Sequence, residues 1–332
     1  MGKFVPGYET IKVKLINFAG NDLGRQCCEF GQNAEFYVPL KNGYSPDDPQ
    51  CKKIARQITE GMTFPKYAFE GHNIAFQIEG ISRVNLAQLT REKGFFCSAS
   101  GGVRPLTQEF VTPRYIYNHP EWMERIKKIE DELESLYVDM IQGGTSYVDA
   151  RYFGLHAQTI NCTYNSSCID FLKALNKRTE NNFADEINYL YRLMFRELKK
   201  AIEEQVTDPL SRQLWDWLIK IFAMPKRMCK NFTYNNDFKL VPEPKGFQFE
   251  EPAHNDWTTS SWKLELERMY RDEPDLLFPG EKEMIEKWME AEKKGEKLPT
   301  TYDPNFELSP VQLIKHVDYY NKRTVENNIY NA

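Results

Sequence analysis

The chain has 332 residues, 41% of them hydrophobic, with a net charge of -5 and a pI near 5.7. That length and apolar content can bury a core, which excludes disorder throughout, and the lack of a cation excess gives nucleic-acid binding no compositional support. The opening MGKFVPGYETIKVKLINF has no apolar leader region and no apolar run of membrane-spanning length follows, so a soluble, cytoplasmic protein is expected. Cysteines at 27, 28, 51, 97, 162, 168 and 229 are odd in number and lack paired ligand spacing. They are expected as thiols, with no metal site.

Taken in chain order, Thr10 to Asn17 alternates Ile11, Val13 and Leu15 with Lys12 and Lys14, the period of a half-buried strand. Ile74, Phe76 and Ile78 repeat that alternation, and the stretch from Ser82 to Arg91 suits a short helix carrying Val84, Ala87 and Leu89. Between Glu121 and Gln142 the apolar positions Trp122, Ile126, Ile129, Leu133, Leu136 and Met140 step by four and three. This predicts one long helix with a continuous stripe, closed by Gly143-Gly144. The stripe suits an oligomer seam or packing within one subunit. Two further stripes predict helices, Phe183, Ile187, Leu190, Met194 and Leu198, then Leu214, Trp215, Leu218, Ile219 and Phe222. From about Met224 the sequence turns Pro-, Asn- and Lys-rich, then breaks into short amphipathic pieces at 281–294 and 309–320. The expected fold is α+β, long helices packed on a sheet, with a catalytic domain over 1–223 and a mostly helical extension over 224–332.

A site for a nucleotide must hold a dianionic phosphate and read a flat base, tasks suited to forked guanidinium donors and side-chain amides. Two segments offer such groups. Phe76 to Arg91 joins a strand to a helix that sets Gln88 and Arg91 three apart on one face. In Gln108 to Tyr115, Pro113 restricts the residue before it to extended geometry, and Thr112, Arg114 and Tyr115 crowd together. The ordinary alternative for such arginines is a solvated surface. Ser98-Ala99-Ser100-Gly101-Gly102 lacks the lysine and glycine spacing of a phosphate loop and reads as a flexible insertion.

These segments resemble the flavin-dependent thymidylate synthases, whose signature reads R-H-R-x-x-S-x-N-E-x-S-x-R-Y. Arg91 resembles its opening arginine, and Thr112-Pro113-Arg114-Tyr115 its ending, with threonine for serine. Glu109 stands close to its N-E pair. His72, 19 positions before Arg91 (91 − 72), is similar to a family histidine, and Gln88 to a nucleotide-contacting glutamine. A second block, Asp149-Ala150-Arg151 with Thr159, Asn165, Phe171, Leu172, Arg178 and Glu186-Ile187, resembles a separate family stretch. Its two arginines stand 27 positions apart (178 − 151), as the family's nucleotide arginines do.

The resemblance implies that Arg151, Arg114 and Thr112 hold a phosphate, that Gln88, Arg91, Glu109 and Tyr115 line the nucleotide, and that Arg178 acts catalytically by donating to a pyrimidine carbonyl. Carbon five of a deoxyuridylate-type base would then be methylated or hydroxymethylated with FAD, methylenetetrahydrofolate and NADPH, in a homotetramer that shares its sites between subunits. A deoxycytidylate substrate stays open, as does a noncatalytic nucleotide-binding protein that has lost flavin. Divergence and the extension point to a viral source, which would place the protein in host cytoplasm. The flavin surroundings depart most from the family. Glu92 and Lys93 stand for the signature's His and Arg, and Ser167, Ile169 and Lys173 for an Asn, an Arg and an Asn. His72, Glu92, Lys93, Ser167 and Lys173 are thus the cofactor candidates. Arg91 and Arg114 stand 23 apart (114 − 91), longer than the signature, which places an insertion near 97–104.

Overall fold

The computed structural model of the chain describes residues 2–29, 40–41, 43–60, 65–92, 96–100, 109–179, 185–222, 232–234, 240–242, 261–278 and 281–296. Two strands, β1 (Lys3–Pro6) and β2 (Lys12–Phe18), precede α1 (Asp22–Glu29), α2 (Pro49–Thr59) and α3 (Lys66–Gly71). β3 (Asn73–Ser82) runs directly into α4 (Arg83–Leu89), followed by β4 (Phe96–Ser100) and β5 (Glu109–Thr112). Next come α5 (Arg114–Tyr117), α6 (Pro120–Gln142), α7 (Tyr147–Ala150) with a 3-10 turn at Arg151–Phe153, β6 (Thr159–Ser167) and α8 (Cys168–Arg178). α9 (Asp185–Gln205), α10 (Pro209–Phe222), a β7 (Phe232–Tyr234) and β8 (Leu240–Pro242) pair, α11 (Ser261–Asp272) and α12 (Glu281–Lys294) complete the order.

Strands β2, β3, β6 and β4 form an antiparallel sheet in that order, and β1 pairs in parallel with β5. One face of the sheet is buried through Ile74, Phe76 and Ile78 of β3 and Ile160, Cys162 and Tyr164 of β6. Gln77, Asn161, Thr163 and Asn165 are exposed on the other, the pattern of an antiparallel sheet with one solvated face. The covering helices use the predicted stripes: Ile187, Leu190, Met194 and Leu198 of α9 and Leu214, Trp215 and Leu218 of α10 join the core. The fold is α+β, as the alternation and the stripes predict. Among the described residues no helix is long and apolar enough to cross a membrane.

The α6 stripe behaves differently. Trp122, Ile129 and Leu136 are exposed, so packing within the subunit leaves much of it in solvent. By contrast, α11 and α12 are built into the body of the protein, because Leu266, Met269, Leu276, Phe278, Ile285 and Trp288 share the main hydrophobic cluster. Their seam with α9 is ionic as well. Arg192 is fully buried and gives Nη1 and Nη2 to the two oxygens of Glu281 at 2.6 and 2.7 Å, with Nη1 also on the Leu276 carbonyl at 3.0 Å. Such a pair, with its remaining donors satisfied, makes removal of either partner strongly destabilising. The expected piece at 309–320 lies outside the described residues.

Candidate functional site

The chain reaches α4 through a bulge. Ile78 pairs with Cys162 and Ile81 with Ile160, so β3 holds one residue more than β6 in that interval. Gly80 absorbs it at φ 72, where a Cβ would stand 2.1 Å from the Thr10 carbonyl oxygen. Thr10 Oγ1 donates to the Gly80 carbonyl at 2.7 Å, and the Gly80 N–H donates to Asn161 Oδ1 at 3.0 Å. Ser82 then caps α4 by accepting the Asn85 N–H at 3.0 Å. Its own N–H and hydroxyl donate to Glu186 of α9 at 2.7 and 2.5 Å. Burial pushes the Glu186 carboxyl up, against the pull of the Ser82 bonds.

From this anchored start, α4 presents guanidinium chemistry at both ends. At its first residue, the Arg83 N–H donates to the carbonyl of buried Gln158 at 3.2 Å. Gly154 marks where the side chains converge: a Cβ there would lie 3.5 Å from Gln158 Oε1 and 3.8 Å from Arg83 Nη1. Arg151 begins the same turn. Burial and then the charge of Arg151 lower the pKa of Arg83, as expected of neighbouring cations that would gain from an anion between them. Among the described residues no carboxylate forms an ion pair with Arg151. β5 is tied to the same region, since the Val111 N–H donates to the Ala157 carbonyl at 2.9 Å.

Past the other end of α4 lies Arg178, the last residue of α8 and 6% exposed. Its Nε and Nη2 both meet Glu92 Oε1, and Nη2 also donates to the Gln88 carbonyl at 3.3 Å. Lys177 Nζ approaches the same Glu92 oxygen at 3.6 Å. Gln88, Glu92 and Arg178 are therefore gathered in one place, with Arg91 exposed in the adjoining turn, where its N–H donates to the Gln88 carbonyl at 3.3 Å.

The β5–α5 residues form a third group. Thr112 is buried, and its carbonyl accepts the Gly7 N–H at 2.7 Å. Arg114 Nε meets Glu265 of α11 at 3.0 Å and Nη2 meets Glu9 at 2.9 Å. Burial lowers its pKa, but those two carboxylates outweigh that effect and the net shift is upward. Gly7 permits the contact, because a Cβ there would lie 2.3 Å from Glu265 Oε1. The phosphate role that resemblance assigns to Arg114 thus meets a guanidinium already holding two anions. Tyr115 packs its ring on His119 at 4.5 Å, and Glu109 pairs with Lys3 at 2.8 Å in solvent.

Of the cofactor candidates, Glu92 joins the Arg178 group, while His72 and Ser167 lie at the opposite end of β3. His72 is enclosed at the far end of β3, edge-on to Trp215 at 5.3 Å and Phe18 at 6.3 Å, with neither ring nitrogen hydrogen-bonded. Burial lowers its pKa to about 4. Ser167, at that same end, caps α8 by accepting the Asp170 N–H at 3.1 Å. Lys173 lies midway along α8 and partly buried, Glu92 holds Arg178, and Lys93 lies outside the described residues. Glu130, Asp131 and Glu134 of α6 lie close enough together to share a metal ion, but Glu130 also faces the Gly2 N–H at 3.5 Å.

Four contributors escape the sequence reading. Arg83 reads as one more polar residue of a short helix, and only the Ser82 cap marks it as the first residue after a strand. Gln158 carries no signal of its own. Glu186 matches the family stretch without its partner Ser82 being apparent, and Glu265 is 151 positions from Arg114 (265 − 114), in a helix the periodicity does not single out.

Residues 36–203 match the family described as Thymidylate synthase complementing protein. That is half of the chain (168 of 332), and the protein belongs to this family, that of the flavin-dependent thymidylate synthases. Among solved structures it is similar to the UMP/dUMP methylase PolB from Streptomyces cacaoi bound with 5-Br dUMP, at 11% identity and TM-score 0.46, covering 64% of this chain and 97% of that one. The same methylase bound with 5-Br UMP matches at 12% identity and TM-score 0.46, covering 65% and 96%. No curated protein matches the chain.

Proposed function

We propose that the protein binds a pyrimidine deoxynucleoside monophosphate and transfers a one-carbon unit to carbon five of its base, methylating or hydroxymethylating a deoxyuridylate-type substrate. Membership of the family over residues 36–203 supports this reading. The observation that carries it is the placing of guanidinium groups at both ends of one short helix, Arg83 with Arg151 and Arg178 with Gln88. In this assignment Arg151 and Arg83 hold the phosphate, for which forked donors are suited. Thr112, Gln88 and Arg91 complete the nucleotide's surroundings, and Arg114 fastens α11 to the core. Arg178 donates to a ring carbonyl, which draws electron density toward the oxygen and favours addition at the far edge of the ring. No thiol nucleophile is then required. Cys27, Cys28 and Cys168 are buried, and burial above all pushes their thiols far up, so they stay protonated at neutral pH.

FAD, methylenetetrahydrofolate and NADPH, the family's cofactors, belong to the same proposal. Among the described residues of one chain the positions carried over for FAD are not gathered into one site: His72 is enclosed, Ser167 is engaged at the start of α8 and Glu92 is engaged with Arg178. We derive no step through flavin from them. A homotetramer that shares its sites would supply further surface from a second copy, and the exposed Trp122, Ile129 and Leu136 of α6 support such packing.

Calorimetric titration with dUMP and with deoxyuridine tests the phosphate site, and the monophosphate is expected to bind more tightly. Equal affinity for the two excludes it. Incubation with FAD, methylenetetrahydrofolate and NADPH, followed by mass spectrometry, distinguishes a methyl from a hydroxymethyl product. A nucleotide recovered unchanged, for both uracil and cytosine bases, overturns the enzymatic reading in favour of a noncatalytic binding protein.

A further inference from the structure

We infer that Cys28 of α1 and Cys51 of α2 form a redox-sensitive pair, which a peroxide converts to a disulfide that locks the two helices together. The inference is independent of the nucleotide.

The pair is singled out by where its sulfurs sit. Cys28 and Cys51 are both fully buried and share a small hydrophobic cluster with Ala55 and Leu210. Cys28 Sγ lies 3.8 Å from the Cys51 carbonyl oxygen, so the side chain of one reaches the main chain of the other. The thiols themselves interact: burial pushes the Cys28 thiol up, and the charge of Cys51 and a hydrogen bond to its side chain add to that. A disulfide brings two Cβ atoms to about 3.5–4.5 Å, and thiols already in hydrogen-bond contact stand one short approach from it. The other buried thiols are less suited. Cys27 adjoins Cys28 on α1, but residues one apart on a helix do not face each other. Cys168 gives its thiol to the Phe69 carbonyl at 3.1 Å. Cys27, Cys162 and Cys168 belong to the main cluster rather than to the one that holds the pair.

Position gives an oxidant its route. Cys28 is the last residue but one of α1, and Cys51 stands in the first turn of α2. Helix ends open at lower cost than the whole fold, so a small peroxide reaches these sulfurs through local fraying, at a rate that burial keeps low. Hydrogen peroxide oxidises one sulfur to its sulfenic acid, the O–O bond breaking and one water leaving. The second sulfur then displaces the hydroxyl, so the S–O bond breaks, the S–S bond forms and a second water leaves. The two thiols lose two electrons and two protons, and the peroxide takes up both. The new bond closes a loop between positions 23 apart (51 − 28), which restricts the unfolded chain and raises stability. Because Leu210 of α10 packs on the pair, the lock fastens α1 and α2 where both already meet a third helix.

Treatment of the full-length protein with hydrogen peroxide, followed by alkylation of the remaining thiols in denaturant and peptide mapping by mass spectrometry, tests the inference. Five thiols in place of seven should be alkylated (7 − 2), with Cys28 linked to Cys51, and dithiothreitol should restore all seven. The urea midpoint should be higher for the oxidised protein than for the reduced one. Cys27 and Cys28 fall on one tryptic peptide, so the link is expected to survive in Cys27→Ala and to vanish in Cys28→Ala. Fragmentation of the linked peptide from the unmutated protein assigns the sulfur without either variant having to fold. A link to any other cysteine, oxidation that stops at sulfinic acid, seven thiols still alkylated after peroxide, or an unchanged urea midpoint once the link has formed would each overturn the inference.

Discussion

At one end of the β3–β6 ladder His72 stands between Phe18 and Trp215 with neither ring nitrogen hydrogen-bonded. At the other, about 30 Å along a ten-residue strand, Ser82 gives its N–H and its hydroxyl to Glu186 and passes the chain to Arg83. The first end solves a packing problem: aromatic rings fill space, and a polar side chain survives there only in its neutral form. The second solves an aiming problem, with a bulge, a buried carboxylate and a serine cap fixing the start of α4 and therefore where Arg83, Gln88 and the following turn can reach. Under the proposed function the ligand chemistry belongs to the second end, and substitutions should separate packing at the first from binding at the second.

The largest effect is expected at the packed end. Trp215 is fully buried, lies 5.3 Å from both the Phe18 and His72 rings, and donates its indole N–H to the Gly20 carbonyl at 3.1 Å. Trp215→Ala should cost about 3–5 kcal/mol in urea unfolding. Affinity of the protein that remains folded for dUMP should be unchanged, and a loss of affinity in that fraction would show that the two ends are coupled.

Acid should act at the same end. Burial brings the His72 pKa down from its ordinary value of 6.5 to about 4 in the fold, so the unfolded chain takes up the proton first. Stability from this group is complete above about pH 6.5 and falls as the pH drops toward 4, by about 3 kcal/mol over the window. His72→Phe keeps the edge contacts and removes the titration, so its unfolding free energy should show a shallower slope across that window. Identical slopes for the two proteins would place the acid sensitivity elsewhere.

At the aiming end the expected losses are in binding. Arg151→Ala should weaken dUMP binding by about 1.5–3 kcal/mol, the range for a hydrogen bond to a charged group, and leave deoxyuridine unaffected. Arg178→Lys should instead reduce discrimination between bases, because an ammonium lacks the planar fork. Calorimetry on both variants with both ligands separates the roles, and a parallel loss for nucleoside and nucleotide in Arg151→Ala would remove Arg151 from the phosphate.

The packed end is largely legible in the sequence. Alternation at Ile74, Phe76 and Ile78 and the stripe through Leu214, Trp215 and Leu218 state periods that burial then follows, because hydrophobic patterning is local. The aiming end is legible only in part. Gln88, Arg151 and Arg178 are proposed through resemblance, but what holds Arg178 is Glu92, 86 positions away (178 − 92), and ionic partners at such separations leave no periodic trace. Arg114 shows the same limit more sharply. Its motif suggests a phosphate, while Glu265 and Glu9 supply the anions. The α6 stripe is legible as a helix, yet its periodicity is equally compatible with a buried face and with the exposed one observed.

The smallest effect separates two contributions at Ser82. Its hydroxyl accepts the Asn85 N–H as a helix cap and donates to Glu186, while its backbone N–H donates to Glu186 independently. Ser82→Ala removes both hydroxyl interactions and should cost about 1–2 kcal/mol of stability, the cap accounting for about 1 at most. Ser82→Gly also removes both, but glycine is tolerated at a cap with a loss of only a few tenths of a kcal/mol when capping is all that is at stake. Because Ser82 is 2% exposed and its hydroxyl lies 2.5 Å from a buried carboxylate, the Glu186 bond should dominate, and Ser82→Gly is expected to lose as much as Ser82→Ala. Paired thermal unfolding curves measure the difference. A glycine variant close to the unmutated protein would mean that the hydroxyl serves the cap alone, leaving the backbone N–H as Ser82's hydrogen bond to Glu186.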